Sequence, residues 1–132
     1  MSEAHIRTVR RSYEALNRGD VDAALEALDP DAVWQDSPEL PGGGEFRGRE
    51  ALQKFLRAFL AEWRDFHQRI EDTVAAGDRV AVVIRLSATG RASGIAVDTR
   101  YAHVWTMRGG LGVRVDAYRD PDAALRSLDD SA

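Results

Sequence analysis

The chain has no cysteine. That absence excludes disulfides, thiolate metal sites and a cysteine nucleophile, but it leaves the compartment open, because a cysteine-free protein is stable in oxidising and reducing surroundings alike. Histidine is scarce as well. His5, His67 and His103 fall on separate segments with no paired ligand spacing, so no metal, haem or other cofactor is expected. No apolar run approaches the roughly 20 residues that span a bilayer, and no membrane association is expected. The opening Met1-Ser2-Glu3-Ala4-His5 lacks the basic start, apolar stretch and small-residue cleavage site of an exported chain, which makes the cytoplasm the expected location. Positive charge is not in excess either: the net charge is -4 and carries no long single-sign block. The one basic cluster, Arg7, Arg10 and Arg11, reads as a solvated helix face, so no nucleic-acid partner is expected.

What is present is enough for one core. At 132 residues and 44% apolar composition, the chain reads as a single domain over 1–132. Ile6, Val9, Tyr13 and Leu16 recur at spacings of three and four, which predicts a helix from Glu3 to Arg18 that Gly19 ends. Asp20 caps a second short helix through Ala23, Ala24, Leu25 and Leu28, stopped by Asp29-Pro30. Ala32 to Asp36 reads as a strand, and Ser37 to Gly44, with two prolines and three consecutive glycines, reads as a loop. A third helix begins near Gly48 and carries the stripe Leu52, Phe55, Leu56, Phe59, Leu60 and Trp63. Strand-like runs follow at roughly 66–76, 79–90, 95–107 and 113–119, separated by glycine turns. Asp120-Pro121 opens a last short helix through Ala124, Leu125 and Leu128. No helix separates the later strands, so the fold class is α+β, with the helices expected together on one sheet face.

Four segments in this order carry a resemblance. They are Ser12-Tyr13-Glu14-Ala15-Leu16-Asn17-Arg18-Gly19-Asp20, Asp31-Ala32-Val33-Trp34, Phe46-Arg47-Gly48-Arg49-Glu50-Ala51-Leu52 and Ala102-His103-Val104-Trp105-Thr106-Met107-Arg108-Gly109-Gly110. Together they resemble the nuclear transport factor 2-like superfamily, in its SnoaL-like and ketosteroid-isomerase-like branches, over nearly the whole chain. The resemblance implies a cone-shaped, cystatin-like fold: a curved mixed or antiparallel sheet with helices on its concave face, enclosing an apolar pocket. It also implies a dimer through the outer face of the sheet. Function varies widely on such a scaffold, so each site residue needs its own argument.

Asp36 lies at the end of the first strand, where the resemblance to the ketosteroid isomerases implies the carboxylate that moves a proton beside a carbonyl. Burial at the mouth of an apolar pocket raises a carboxylate pKa and suits it to acid or base work near neutral pH. The alternative is that Asp36 hydrogen-bonds the backbone of its own Asp-Ser-Pro turn. Period-two alternation puts Tyr101, His103 and Trp105 on one face and Arg100, Ala102, Val104 and Thr106 on the other. The resemblance places His103 where the isomerases keep a protonated aspartic acid that donates to an oxyanion; a neutral histidine donates there too, and a protonated one more strongly. The plainer reading is a satisfied core histidine.

Other family features are missing. Ser12 stands in the register of the isomerases' oxyanion-binding tyrosine, with Tyr13 one residue, about 100° of helix, away. Ala117 stands where the SnoaL-like cyclases have a pocket aspartate, and Asp116 points out by parity with Val113, Val115 and Ala117 unless a bulge reverses it. Arg85 also points out, since Val82, Ile84 and Leu86 face in, and a cross-strand acid such as Asp116 is its expected partner. The inward Asp-Arg-Asp cluster of limonene-epoxide hydrolases therefore has no counterpart.

Tyr13, Trp34, Phe46, Phe55, Phe59, Trp63, Ile84, Tyr101 and Trp105 are expected to line the pocket, which predicts a flat or polycyclic apolar ligand. Three readings follow. The chain is a cofactor-independent isomerase or cyclase using Asp36 and His103, a non-catalytic binder of a hydrophobic small molecule, or a structural dimer module with a filled pocket. The outer face with Ala102, Val104, Thr106 and Tyr118 is apolar, which predicts a homodimer.

Overall fold

The computed structural model describes residues 2–36 and 44–129. All of the expected 37–44 loop but Gly44 lies outside the described residues, as do the last three residues of the tail. Helix α1 spans Ser2–Asn17, α2 Val21–Leu25, α3 Arg49–Ala61 and α4 Pro121–Ser127. The strands are β1 Leu28–Gln35, β2 Glu45–Arg47, β3 Trp63–Ala76, β4 Arg79–Gly90, β5 Ala96–Arg108 and β6 Leu111–Tyr118. They form one six-stranded sheet in the order β2-β1-β6-β5-β4-β3. Only β1 with β6 is parallel, so the sheet is mixed, and it stays open because β2 and β3 do not meet. The fold is α+β with a curved sheet, as the element order predicts.

Local chemistry sets the boundaries. Val9 and Tyr13 of the α1 stripe are buried, with Ile6 and Leu16 packed beside them. Asp20 caps α2 by accepting from the Ala23 N–H at 3.1 Å, and Asp120 caps α4 by accepting from the Asp122 N–H at 3.0 Å. Pro30 falls inside β1 and does not stop the chain there. Its missing N–H costs no ladder bond, because the pairing of β1 with β6 shifts register between Leu28 and Val33 and β2 pairs only Val33 to Gln35. Leu28 therefore belongs to β1 and not to the second helix. Trp63, expected on the helical stripe, is the first residue of β3: α3 closes at Ala61, and Glu62 takes the cap position. Strand β2 has no counterpart in the sequence pattern, being three residues long and held by its pairing of Phe46 with Trp34.

The inner face of the sheet aligns Val82, His103 and Ala117 in one row, and Val80, Trp105 and Val115 in the next. These side chains meet α1, α2 and α3 in the main core. Helix α4 departs from the expected arrangement by packing on the opposite face, where Ala124 and Leu128 bury Ala81, Val83, Ala102 and Val104. The apolar outer face that motivated a homodimer is thus covered from within the chain, for the same hydrophobic reason. Arg85 pairs with Asp98 at 2.8 Å, and Asp116 pairs with Arg114 at 3.0 Å, in place of the expected contact between Arg85 and Asp116. Each of these arginines has an acid nearer than the other's partner.

Candidate active site

Between the inner sheet face and the helices lies a cavity of about 570 Å³, within the roughly 300–1,000 Å³ common for small-molecule sites. Of the expected lining residues, Tyr13, Trp34, Phe55, Phe59, Trp63, Tyr101 and Trp105 border it, together with Asp36 and His103. Phe46 and Ile84 stand behind the lining. Phe46 packs on Phe55 with ring centroids 4.4 Å apart, and Ile84 is wholly buried in the core. Asp116 does not border the cavity, and Ala117 does, in keeping with the period-two parity of β6. One wall is a run of aromatic contacts, Phe55 to Phe59 at 6.0 Å and Phe59 to Trp63 at 6.1 Å and Phe66 at 5.9 Å.

The floor is a hydrogen-bonded chain of three side chains. The Trp105 indole donates to the Tyr13 hydroxyl at 2.9 Å, and that hydroxyl lies 2.6 Å from Nδ1 of His103. An indole N–H can only donate, so the Tyr13 oxygen accepts from it and its own proton needs an acceptor. Nδ1 of His103 is the acceptor within reach; the reverse tautomer would strand a buried hydroxyl proton, at a cost of about 1–3 kcal/mol. His103 therefore carries its proton on Nε2, which makes no hydrogen bond among the described residues and faces the cavity. Burial pushes the imidazole down to about 3, so the ring is neutral in the ordinary pH range. Burial also holds the Tyr13 phenol well above its usual range, the Trp105 hydrogen bond opposing only part of that rise. The sequence register that separates Tyr13 from the isomerase pattern thus still delivers its hydroxyl to the pocket floor. Ser12, in the isomerase register, instead donates to the Ala24 carbonyl at 2.8 Å and ties α1 to α2.

Asp36 sits at the end of β1, half-buried. Burial raises its carboxyl pKa, while a hydrogen bond from Trp34 works against the rise. The Trp34 ring in turn packs edge-on against His103 at a centroid distance of 4.9 Å. The carboxylate, the indole and the imidazole thus form one contiguous patch. An acid or base of raised pKa on the same cavity as a neutral N–H donor suits proton transfer next to a carbonyl.

Two residues that shape the site escape the sequence patterns. Gly112 of β6 lies under the Trp105 ring: a Cβ there would stand 2.6 Å from Trp105 Cε3, so only glycine admits the indole. Gly112 lies just outside the run read as a strand at 113–119, and only the structure places it within β6. Gln68 of β3 borders the cavity and is 6% exposed. Its spacing of two from Phe66 and Ile70 marks it as inward, but a polar residue in an otherwise charged strand does not stand out. Among the described residues, no three metal-ligating side chains gather in one place, and no helix is long and apolar enough to cross a membrane.

No curated protein sequence matches this chain. Solved structures resemble it closely in shape. An NTF2-like protein of unknown function from Burkholderia pseudomallei K96243 superposes with a TM-score of 0.81 at 25% identity, covering 95% of this chain and 97% of its own. Bal32a, from a soil-derived mobile gene cassette, gives 0.80 at 26% identity, covering 92% and 94% respectively. A candidate SnoaL-like polyketide cyclase from Jannaschia sp. CCS1 gives 0.79 at 18% identity over 96% and 92%, a likeness of fold. The SnoaL-like domain model matches residues 9–115, from the α1 stripe through the Trp105 row of the sheet. By that match and by its fold, the chain belongs to the SnoaL-like domain family of the nuclear transport factor 2-like superfamily.

Proposed function

We propose that the chain binds a flat, apolar carbonyl compound in the cavity and catalyses a cofactor-independent proton transfer beside the carbonyl, as an isomerase or cyclase would. One arrangement carries this reading: Asp36 and His103 border the same cavity, the first a carboxylate of raised pKa and the second a neutral imidazole with Nε2–H turned inward. The carboxylate of Asp36 takes the proton from the carbon next to the carbonyl. The C–H electron pair moves into the new C=C bond, and the carbonyl π pair moves onto oxygen. Nε2–H of His103 donates to that oxygen, while Tyr13 fixes the tautomer through Nδ1 and Trp105 fixes Tyr13. Asp36 then returns the proton, to the same carbon or to another. The aromatic walls hold the ring system in place and keep water from the enolate.

The test is deuterium uptake by β-tetralone, a two-ring ketone with acidic α-hydrogens, followed by proton NMR in heavy water. The wild-type protein should accelerate exchange above the buffer rate, and Asp36→Asn should lower the protein-dependent rate at least about 100-fold, the size of a general-base contribution, without loss of folding. An Asp36→Asn protein as active as wild type would dismiss the mechanism. A second reading is non-catalytic binding of a hydrophobic ligand. It is favoured by the burial of the Tyr13, His103 and Trp105 chain, in which the Tyr13 hydroxyl is satisfied within the chain as in a structural network. Under that reading Asp36→Asn leaves affinity almost unchanged and Phe55→Ala lowers it. We also propose a homodimer, formed over the outer sheet face that α4 leaves uncovered.

A further inference from the structure

Each half of the proton-transfer pair has an indole beside it. Trp105 donates to the Tyr13 hydroxyl at 2.9 Å and through it fixes His103. Trp34 stands beside the base. It lies two residues before Asp36, so period-two alternation turns both side chains to the same face of the sheet, and both border the cavity. Its hydrogen bond to the Asp36 carboxyl is the contact that opposes the effect of burial there. The third indole, Trp63, differs: its Nε1 is buried with no hydrogen-bond partner among the described residues.

Trp34 is held on both edges and on one face. It pairs with Phe46 of β2 and with Val115 of β6, and its ring packs edge-on against His103, with 4.9 Å between centroids and 75° between planes. The Asp36 backbone is pinned next to it, its N–H donating to the Gly44 carbonyl at 2.9 Å. The carboxyl group at the end of that side chain turns easily about its last bond unless a donor holds it. Phe55 and Phe59 already supply aromatic wall, and what an indole adds to a phenyl ring is one N–H that can only donate.

We propose that Trp34 is a positioning residue for the base: its N–H holds one oxygen of the Asp36 carboxylate and leaves the other aimed into the cavity, toward the carbon whose proton it takes. Because the same ring rests on His103, base and donor keep a fixed separation. The hydrogen bond also favours the ionised carboxylate, so the base is available at a lower pH than burial alone would allow. This assignment rests on the proposed function for the reaction that it serves.

The test is a carbon-13 NMR titration of the ligand-free protein labelled at its aspartate carboxyls, with the Asp36 signal identified by its loss in Asp36→Asn. Trp34→Phe keeps a ring in place and removes the N–H, and it should raise the Asp36 midpoint by about one pH unit, the worth of a hydrogen bond to a charged group. The other ionisable side chains on the cavity are Tyr13, Tyr101, His103, Tyr118, Arg100 and Arg119, and a signal read on the Asp36 carboxyl reports its own ionisation. On the high-pH plateau, the maximal rate of deuterium uptake by β-tetralone should fall at least about tenfold, while the half-saturating concentration stays within about twofold. A Trp34 that merely fills space would change stability and half-saturation and leave the midpoint where it is. Should Trp34→Phe not fold, the Trp34 indole N–H resonance of the wild type still decides: it should shift through the Asp36 midpoint and no longer do so in Asp36→Asn. An unmoved midpoint, an indole resonance indifferent to Asp36, or an unchanged maximal rate would overturn the proposal. A moved midpoint in a protein without deuterium uptake would sink the proton-transfer reading alone. Uptake with an unmoved midpoint would sink this assignment alone.

Discussion

At His103 the protonation state follows from burial, and it has measurable consequences in two directions. The imidazole is held down to about 3 in the folded chain against an ordinary 6.5 when unfolded. Between those values the unfolded chain binds a proton that the folded chain refuses. Stability from this residue is therefore complete above pH 6.5 and is lost as the pH falls through the window, by about 2 kcal/mol on reaching pH 5. Urea unfolding at pH 7 and pH 5 should show that loss, and His103→Gln, which keeps an acceptor for Tyr13, should remove most of it. Asp36 works with the opposite sign. Its raised pKa favours the protonated folded form, so its contribution is present below the ordinary carboxylate value and is lost as the pH rises through the raised one. The exchange rate should rise with pH along the limb set by Asp36 and show no inflection near 6.5, because His103 does not titrate there.

Among the elements, β6 and α1 determine whether the floor of the site exists. Trp105 is 1% exposed and has Gly112 beneath it, where a Cβ would stand 2.6 Å from its ring. Gly112→Ala should overpack this row by about 1–3 kcal/mol and push the indole from the Tyr13 hydroxyl. The expected outcome is a lower unfolding midpoint together with at least about a tenfold fall in deuterium exchange, since one hydrogen bond in the chain to His103 is lost. A fall in stability with unchanged exchange would mean that the Trp105 bond does not govern His103. Strand β3 shows the same dependence between elements: its Gln68 is set by Asn17, 51 positions earlier, at the end of α1.

On the scale of the whole molecule, the two sheet faces are closed by different helices. The inner face lies under α1, α2 and α3, and the centre of the outer face lies under α4. What the outer face leaves open is a charged row in which Arg69, Arg85 and Arg100 stand in register across β3, β4 and β5, with Glu71 and Asp98 paired to them. A homodimer formed over this row would be held largely by exposed ion pairs, which salt screens. Sedimentation velocity should then show a dimer in dilute buffer and a growing monomer fraction in about 0.5 M sodium chloride. Monomer in both would dismiss the dimer.

The sequence by itself determined the α+β class, the main helices and long strands, and the inward faces of β4, β5 and β6, because hydrophobic period is a local property that burial of one face imposes on every element. It also placed Asp36 and His103 on elements that could share a pocket. Only the tertiary structure decided that α4 crosses to the outer face, that Trp63 opens a strand, that Arg85 pairs with Asp98, and that Phe46 and Ile84 stand behind the lining. Each of these turns on which of several compatible partners lies nearest in space, and a one-dimensional pattern does not contain that distance. The tautomer of His103 and the hydrogen bond from Gln68 to the Tyr101 hydroxyl belong to the same class. They follow from contacts 90 and 33 positions apart in the chain, where folding alone brings donor to acceptor.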